Sequence, residues 1–155
     1  MDSISHILVP TDGSELACKA AAFAGRLARG LKARVSVLLV LPEEIVLPNA
    51  WGVGTDEGVP YGTMSVEEIR NMLEKRAREN DLPKTLKSLG DLDVEPKLIS
   101  SWGHPADEIS RFAREHEVDL IVIGSHGRTG IKRAFLGSVS QAVANQAVCA
   151  VTIVK

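Results

Sequence analysis

The sequence predicts an α/β domain built on a five-stranded, mostly parallel sheet with helices on both faces. Three observations carry that reading. Short apolar runs at 4–9, 33–41, 92–99, 118–123 and 148–154 alternate with stretches of helical periodicity. The first two runs enclose one helical stretch within about 40 residues, a βαβ unit, which implies a parallel pair and a right-handed crossover. The fourth run ends in a glycine and feeds a glycine-rich loop, as strands do at the ligand end of open parallel sheets.

Residues 4–9 form a short, mainly apolar run that reads as a strand buried on both faces, and Pro10 is expected to stop it. Pro10-Thr11-Asp12-Gly13-Ser14 reads as a strand-to-helix turn, with Ser14 as N-cap and Glu15 in the first helical turn. Leu16, Ala20, Phe23, Ala24, Leu27 and Leu31 then fall on one helical face, and Gly30 marks the helix end. The second run closes at Pro42. Residues 42–63 break the pattern with Pro42, Pro48, Pro60 and glycines at 52, 54, 58 and 62 around Trp51, and read as a mobile flap. Ser65 with Glu68 is a capping box, and Val66, Ile69, Leu73 and Ala77 form a helix face. Pro83 either kinks this helix or starts a new one at Asp81 that ends near Gly90. The third run is interrupted by Pro96, which suits a sheet edge. Pro105 belongs in the first turn of the next helix, with Ala106, Ile109, Phe112 and Ala113 facing inward. After the fourth strand and the glycine loop, 137–147 is a short helix with Val139, Ala142 and Val143 on one side, and 148–154 is the last strand.

Composition narrows the function classes. The 155 residues fit one domain, 1–155, and a net charge of -2 with pI near 6.1 gives no basic surface for nucleic acid. No apolar stretch approaches the roughly 20 residues that span a bilayer, and the N-terminus lacks signal-peptide features, so a cytoplasmic protein without membrane contact is expected. Cys18 and Cys149 read as reduced thiols packed as small hydrophobes. His6, His104 and His116 have no second ligand at metal spacing.

The loop from Gly124 onward carries glycines at 124, 127 and 130, then Gly137-Ser138 ahead of the last helix. Backbone without a Cβ can approach a polyphosphate, and the N–H groups of such a loop and of the next helical turn form an anion site. His126, Arg128, Lys132 and Arg133 occur there with no acid among them. Glycine loops also serve as plain tight turns, and the spacing alone leaves both readings open. Asp12 suits ribose hydroxyls or a metal on the phosphates, or else an Asx-type turn. Ser138 suits a phosphate or a helix cap. His126 and Arg128 are site residues or solvated loop residues, and Lys132 and Arg133 read as an exposed face. Trp51 and Trp102 read as partly buried packing residues.

Three segments resemble the universal stress protein family in its adenine-nucleotide-binding form: ILVPTDGSELA at 7–17, GHPADEI at 103–109 and VDLIVIGSHGRTGIKRAFLGSVS at 118–140. The last holds a glycine, two residues, a glycine, nine residues and Gly-Ser, here Gly124, Gly127 and Gly137-Ser138. The resemblance implies a Rossmann-like sheet in the order 3-2-1-4-5, a homodimer, and ATP at the carboxyl ends of the strands. It assigns base and ribose to Pro10, Thr11 and Asp12, and the adenine to the backbone of Val40. Gly124, Ser125, His126, Gly127, Arg128, Thr129 and Gly130 would wrap the phosphates, and Gly137, Ser138, Val139 and Ser140 would complete the site. Gln141 and Cys149-Ala150-Val151 depart from the Glu and the Cys-Pro-Val frequent in that family.

Because the loop supplies few cations, Mg²⁺ or Mn²⁺ is expected to bridge the phosphates with little first-shell coordination from protein. No catalytic residue is expected. The Ser-Gly-Gly-x-Asp-Ser loop of adenylating enzymes, the Walker loop and the nucleophile elbow are absent. The reading is an ATP-binding, stress-response regulatory protein with little or no hydrolysis, against a slow ATPase or phosphotransfer enzyme and a structural dimer without nucleotide. The last strand, VCAVTIV, lacks the charges or proline that guard an exposed edge, and antiparallel pairing of two copies would cover it.

Overall fold

The structure, a computed structural model, describes residues 3–41, 65–92, 97–128 and 136–155. The proposed flap at 42–63, with Trp51, and Pro96 lie outside these residues. Five parallel strands, β1 (His6–Thr11), β2 (Arg34–Leu41), β3 (Lys97–Trp102), β4 (Leu120–Gly124) and β5 (Ala150–Val154), form one sheet in the order β3-β2-β1-β4-β5. Side chains alternate between its faces. Ile7, Val9, Val37 and Leu39 meet α1 (Glu15–Leu31), α2 (Val66–Arg76) and α3 (Leu82–Leu89) on one face; Leu8, Leu38 and Ile121 meet α4 (Pro105–Glu115) and α5 (Ser138–Gln146) on the other. Both faces being covered, the central strands read as continuous apolar runs. No described helix is long and apolar enough to cross a membrane.

Several local signals act as expected. Ser14 caps α1 by accepting from Ala17 N, and Ser65 with Glu68 forms a reciprocal capping box at α2. Pro105 opens α4, whose Ala106, Ile109, Phe112 and Ala113 are buried.

Other expectations are corrected. Pro10 does not stop β1; it pairs opposite Leu38 inside the strand. Asp119 N donates to His6 O, so alternate residues from His6 onward face β4, and the β1–β4 register ends at Leu8. Pro10 therefore turns its nitrogen towards β4 and, with no N–H to give, ends that ladder while β4 continues to Gly124. Helix α1 runs through Gly30 to Leu31, and Lys32 supplies the left-handed C-cap at φ 55. Its buried face is Ala17, Ala20, Ala21, Ala24, Gly25 and Ala28, with Leu31 exposed, because small residues let it lie close to both sheet and α3. A Cβ on Gly25 would overlap the Leu89 carbonyl. Asp81 starts no new helix by capping. A π-helical turn, Ala77–Asp81, joins α2 to α3 without a break and absorbs the hydrogen bond that Pro83 cannot make.

Candidate functional site

β1 and β4 lie side by side, and their chains leave for opposite faces: β1 into α1, and β4 through the glycine loop to α5. Such a switch point opens a crevice at the carboxyl ends of the strands. The turn after β1 forms one wall. Gly13 takes φ +75, and a Cβ there would press on Asp81, 2.8 Å from its Cβ, so glycine is required on both counts. Thr85 Oγ1 donates to Asp81 O at 2.8 Å, so the 2.7 Å bond between the two threonine hydroxyls is donated by Thr11. Thr11 Oγ1 in turn accepts from Gly13 N at 3.0 Å. The Thr11 side chain is thus buried and holds the turn in shape.

Asp12 takes up its turn-stabilising use and adds a contact to the glycine loop that the sequence did not suggest. Oδ1 accepts from Ser14 N at 2.9 Å, an Asx-type turn, while Oδ2 accepts from Arg128 N at 2.9 Å across the crevice. The carboxylate clamps the β1 turn to the glycine loop. Gly127 lies against it, for a Cβ at 127 would stand 2.6 Å from Asp12 Oδ2.

The glycines at either end of the loop answer to packing. A Cβ on Gly124 would come within 2.9 Å of the Leu16 main chain, so this glycine admits the first turn of α1. Gly137 N donates to Ser125 O at 2.7 Å, and the buried Ser140 hydroxyl lies 3.0 Å from that oxygen and 2.9 Å from Gly137 O. These bonds pin the loop to α5. Ser125 is buried, its N donating to Val154 O at 2.8 Å and its hydroxyl 3.1 Å from His126 Nδ1. Ser138 is exposed and is the first helical residue. The cap of α5 is Gly137, with no side-chain cap bond, so the first turn of α5 is not closed by a side chain. Val139 and Val40 are half-buried against the core on the α4 side, and Pro10 is buried. Thr129, Gly130, Lys132 and Arg133 lie outside the described residues.

Sequence reasoning missed the second wall, which comes from the α2–α3 arm. Besides Thr85 on Thr11, Lys84 Nζ donates to Gly13 O at 2.9 Å, the Arg128 guanidinium pairs with Asp81, and Arg76 Nε stands 3.9 Å from the other Asp81 oxygen. An acid beside Pro83 reads locally as a helix start, and no local pattern aims it at a loop 47 residues away. Among the described residues, no three His, Cys, Asp or Glu side chains are grouped to hold a metal ion.

The universal stress protein family profile matches residues 3–155. The universal stress protein YxiE of Bacillus subtilis is 35% identical over 152 residues, covering 97% of this chain and 99% of that protein. MJ0577 of Methanocaldococcus jannaschii, also a universal stress protein, is 34% identical over 152 residues, 96% of this chain and 93% of that one. The solved MJ0577 structure superposes with a TM-score of 0.77 at 30% identity, covering 99% and 97% of the two chains. The universal stress protein of Archaeoglobus fulgidus solved with dAMP shares the fold, with a TM-score of 0.64 at 24% identity over 99% of this chain and 100% of that one. On the extent of these matches and the shared sheet, the chain belongs to the universal stress protein family.

Proposed function

We propose that this chain, as a single domain over 1–155, binds ATP at the carboxyl ends of β1, β2 and β4 and acts as a nucleotide-dependent stress-response regulator with little or no hydrolysis. The observation that carries the reading is the Asp12 bridge. One carboxylate joins the β1 turn to a glycine loop beside a helix N-terminus without a side-chain cap. Each Asp12 oxygen accepts a main-chain N–H and keeps lone pairs, which suit ribose hydroxyls as donors. The first turn of α5, at Ser138 and Val139, suits a phosphate.

Pro10, Thr11 and Val40 would bound the base and ribose. Gly124 to Gly130 and Gly137 to Ser140 would hold the phosphates, with Mg²⁺ or Mn²⁺ on the phosphate oxygens supplying charge neutralisation when bound. Asp12 is committed to main-chain donors on both oxygens, which favours holding a ligand over taking a proton from water. The dAMP complex of the Archaeoglobus fulgidus protein fits an adenine ligand on this fold. Edge strand β5 would pair two copies, and the protein would work in the cytoplasm.

Mass spectrometry of protein denatured straight after purification, with ATP titration calorimetry, tests the reading. Retained nucleotide or saturable ATP binding with negligible phosphate release is expected. Absence of both retention and binding would overturn it, and steady phosphate release would make the protein an enzyme.

A further inference from the structure

Asp81 is a buried carboxylate facing two arginines. It ends the π-helical turn with 8% exposure, pairs with the Arg128 guanidinium, and has Arg76 Nε at 3.9 Å on its other oxygen. Two guanidinium groups thus share one carboxylate. A buried carboxylate left without a partner is costly, yet Asp81 could release Arg128 and still face Arg76. Arg128 also donates its main-chain N–H to Asp12, so one residue touches both the site carboxylate and the α2–α3 arm. The arm is held to the β1 turn by Thr85 on Thr11 and by the Lys84 ammonium on Gly13 O, and to the glycine loop by the Asp81–Arg128 pair. At the glycine loop itself, the Asp81–Arg128 pair is the tie that an anion bound there can contest.

We propose that Asp81 and Arg128 form a phosphate-responsive switch. A polyphosphate at the glycine loop draws the Arg128 guanidinium off Asp81, Asp81 falls back on Arg76, and the α2–α3 arm loosens from the glycine loop. Guanidinium binds phosphate in the same forked geometry as carboxylate, so the exchange replaces like with like. A nucleoside without phosphates has nothing to offer Arg128 and would leave the arm in place. A ligand moves an equilibrium only through its differential affinity for the two states, and here the phosphate chain supplies the difference. The inference rests on the ATP-binding reading above.

Calorimetry and amide hydrogen exchange on the full chain, with ATP and adenosine as probes, test it. In the wild type, exchange over residues 77–89 is expected to quicken with ATP and stay unchanged with adenosine. Asp81→Asn, which removes the competitor for Arg128, should bind ATP several-fold more tightly and exchange fast over 77–89 without ligand. Arg128→Gln should weaken ATP binding roughly tenfold or more and abolish the ATP effect on 77–89. ATP binding to wild type with exchange over 77–89 unchanged or slowed, or weaker ATP binding by folded Asp81→Asn, would overturn the switch and leave the nucleotide reading intact. Failure of wild type to bind ATP would overturn both. Should Asp81→Asn not fold, a full ATP response in Arg128→Gln would overturn the proposal instead.

Discussion

Gly127 and His6 illustrate how single positions are constrained at opposite ends of the sheet. At Gly127 the neighbour is Asp12 Oδ2, 2.6 Å from where a Cβ would stand, and that oxygen holds the Arg128 N–H. Gly127→Val must displace the carboxylate and break the bridge. ATP affinity is expected to fall roughly tenfold or more, as for a lost charge-assisted hydrogen bond, while circular dichroism stays that of the wild type. Unchanged affinity in the calorimeter would remove the cradle assignment. His6 lies within the sheet, buried, with Nδ1 3.1 Å from His116 O and Nε2 2.9 Å from Ser36 Oγ. The carbonyl requires Nδ1–H, so Nε2 accepts from Ser36 in the neutral ring. Burial lowers its pKa from 6.5, with Arg34 adding to the effect and the His116 carbonyl and Asp119 opposing it. As pH falls below about 6.5 the unfolded chain takes up this proton before the folded one does, so stability present above that pH is lost through the window beneath it. Urea unfolding should give a lower midpoint at about pH 5.5 than at about pH 7.5, with the difference reduced in His6→Gln. A midpoint that rises on acidification would contradict the assignment.

Among the elements, α1 and the α2–α3 arm depend most closely on each other. Gly25 sits in mid-helix, where glycine ordinarily costs stability relative to alanine. The contact explains it: a Cβ there would overlap the Leu89 carbonyl and lie 2.9 Å from its carbon. Gly25→Ala therefore should not bring the usual helix-propensity gain. It is expected to destabilise by about 1–3 kcal/mol, as over-packing does, and to lower Tm by roughly 2–4 °C per kcal/mol. A raised Tm in differential scanning calorimetry would show that α3 retreats freely. The same proximity brings the π-helical turn against Gly13, so the arm that covers one sheet face also supplies Asp81, Lys84 and Thr85 to the crevice.

In the whole molecule, β5 is an edge strand bonded to β4 on one side, with Val151 to Val154 only partly buried in the single chain and Val148 66% exposed. Antiparallel pairing with a second copy would cover that edge and bury Val151 and Ile153 further. Light scattering at micromolar concentration is expected to give twice the 16.7 kDa of one chain, and Val151→Lys to reduce it towards one. A wild-type mass of one chain would end the dimer proposal.

The alternation of strands and helices was legible in the sequence because its causes are local: continuous apolar runs under two helical layers, caps at Ser14 and Ser65, and Pro105 in a first turn. The glycine spacing pointed to the crevice for the same reason. What each glycine answers to was decided by tertiary contacts. Gly124 faces Leu16, Gly127 faces Asp12, and Gly137 closes on Ser125, partners that no local pattern specifies. Pro10 stays inside β1 through its pairing with β2, and its missing N–H ends the ladder on the β4 side. The buried face of α1 shifted towards its alanines because α3 approaches Gly25. Asp81 reached the site only because a π-helical turn carried the chain past Pro83. Sequence determined which segments would form and where the crevice would open; packing between distant segments decided which side chains line it, since a contact depends on both partners and a sequence pattern records only one.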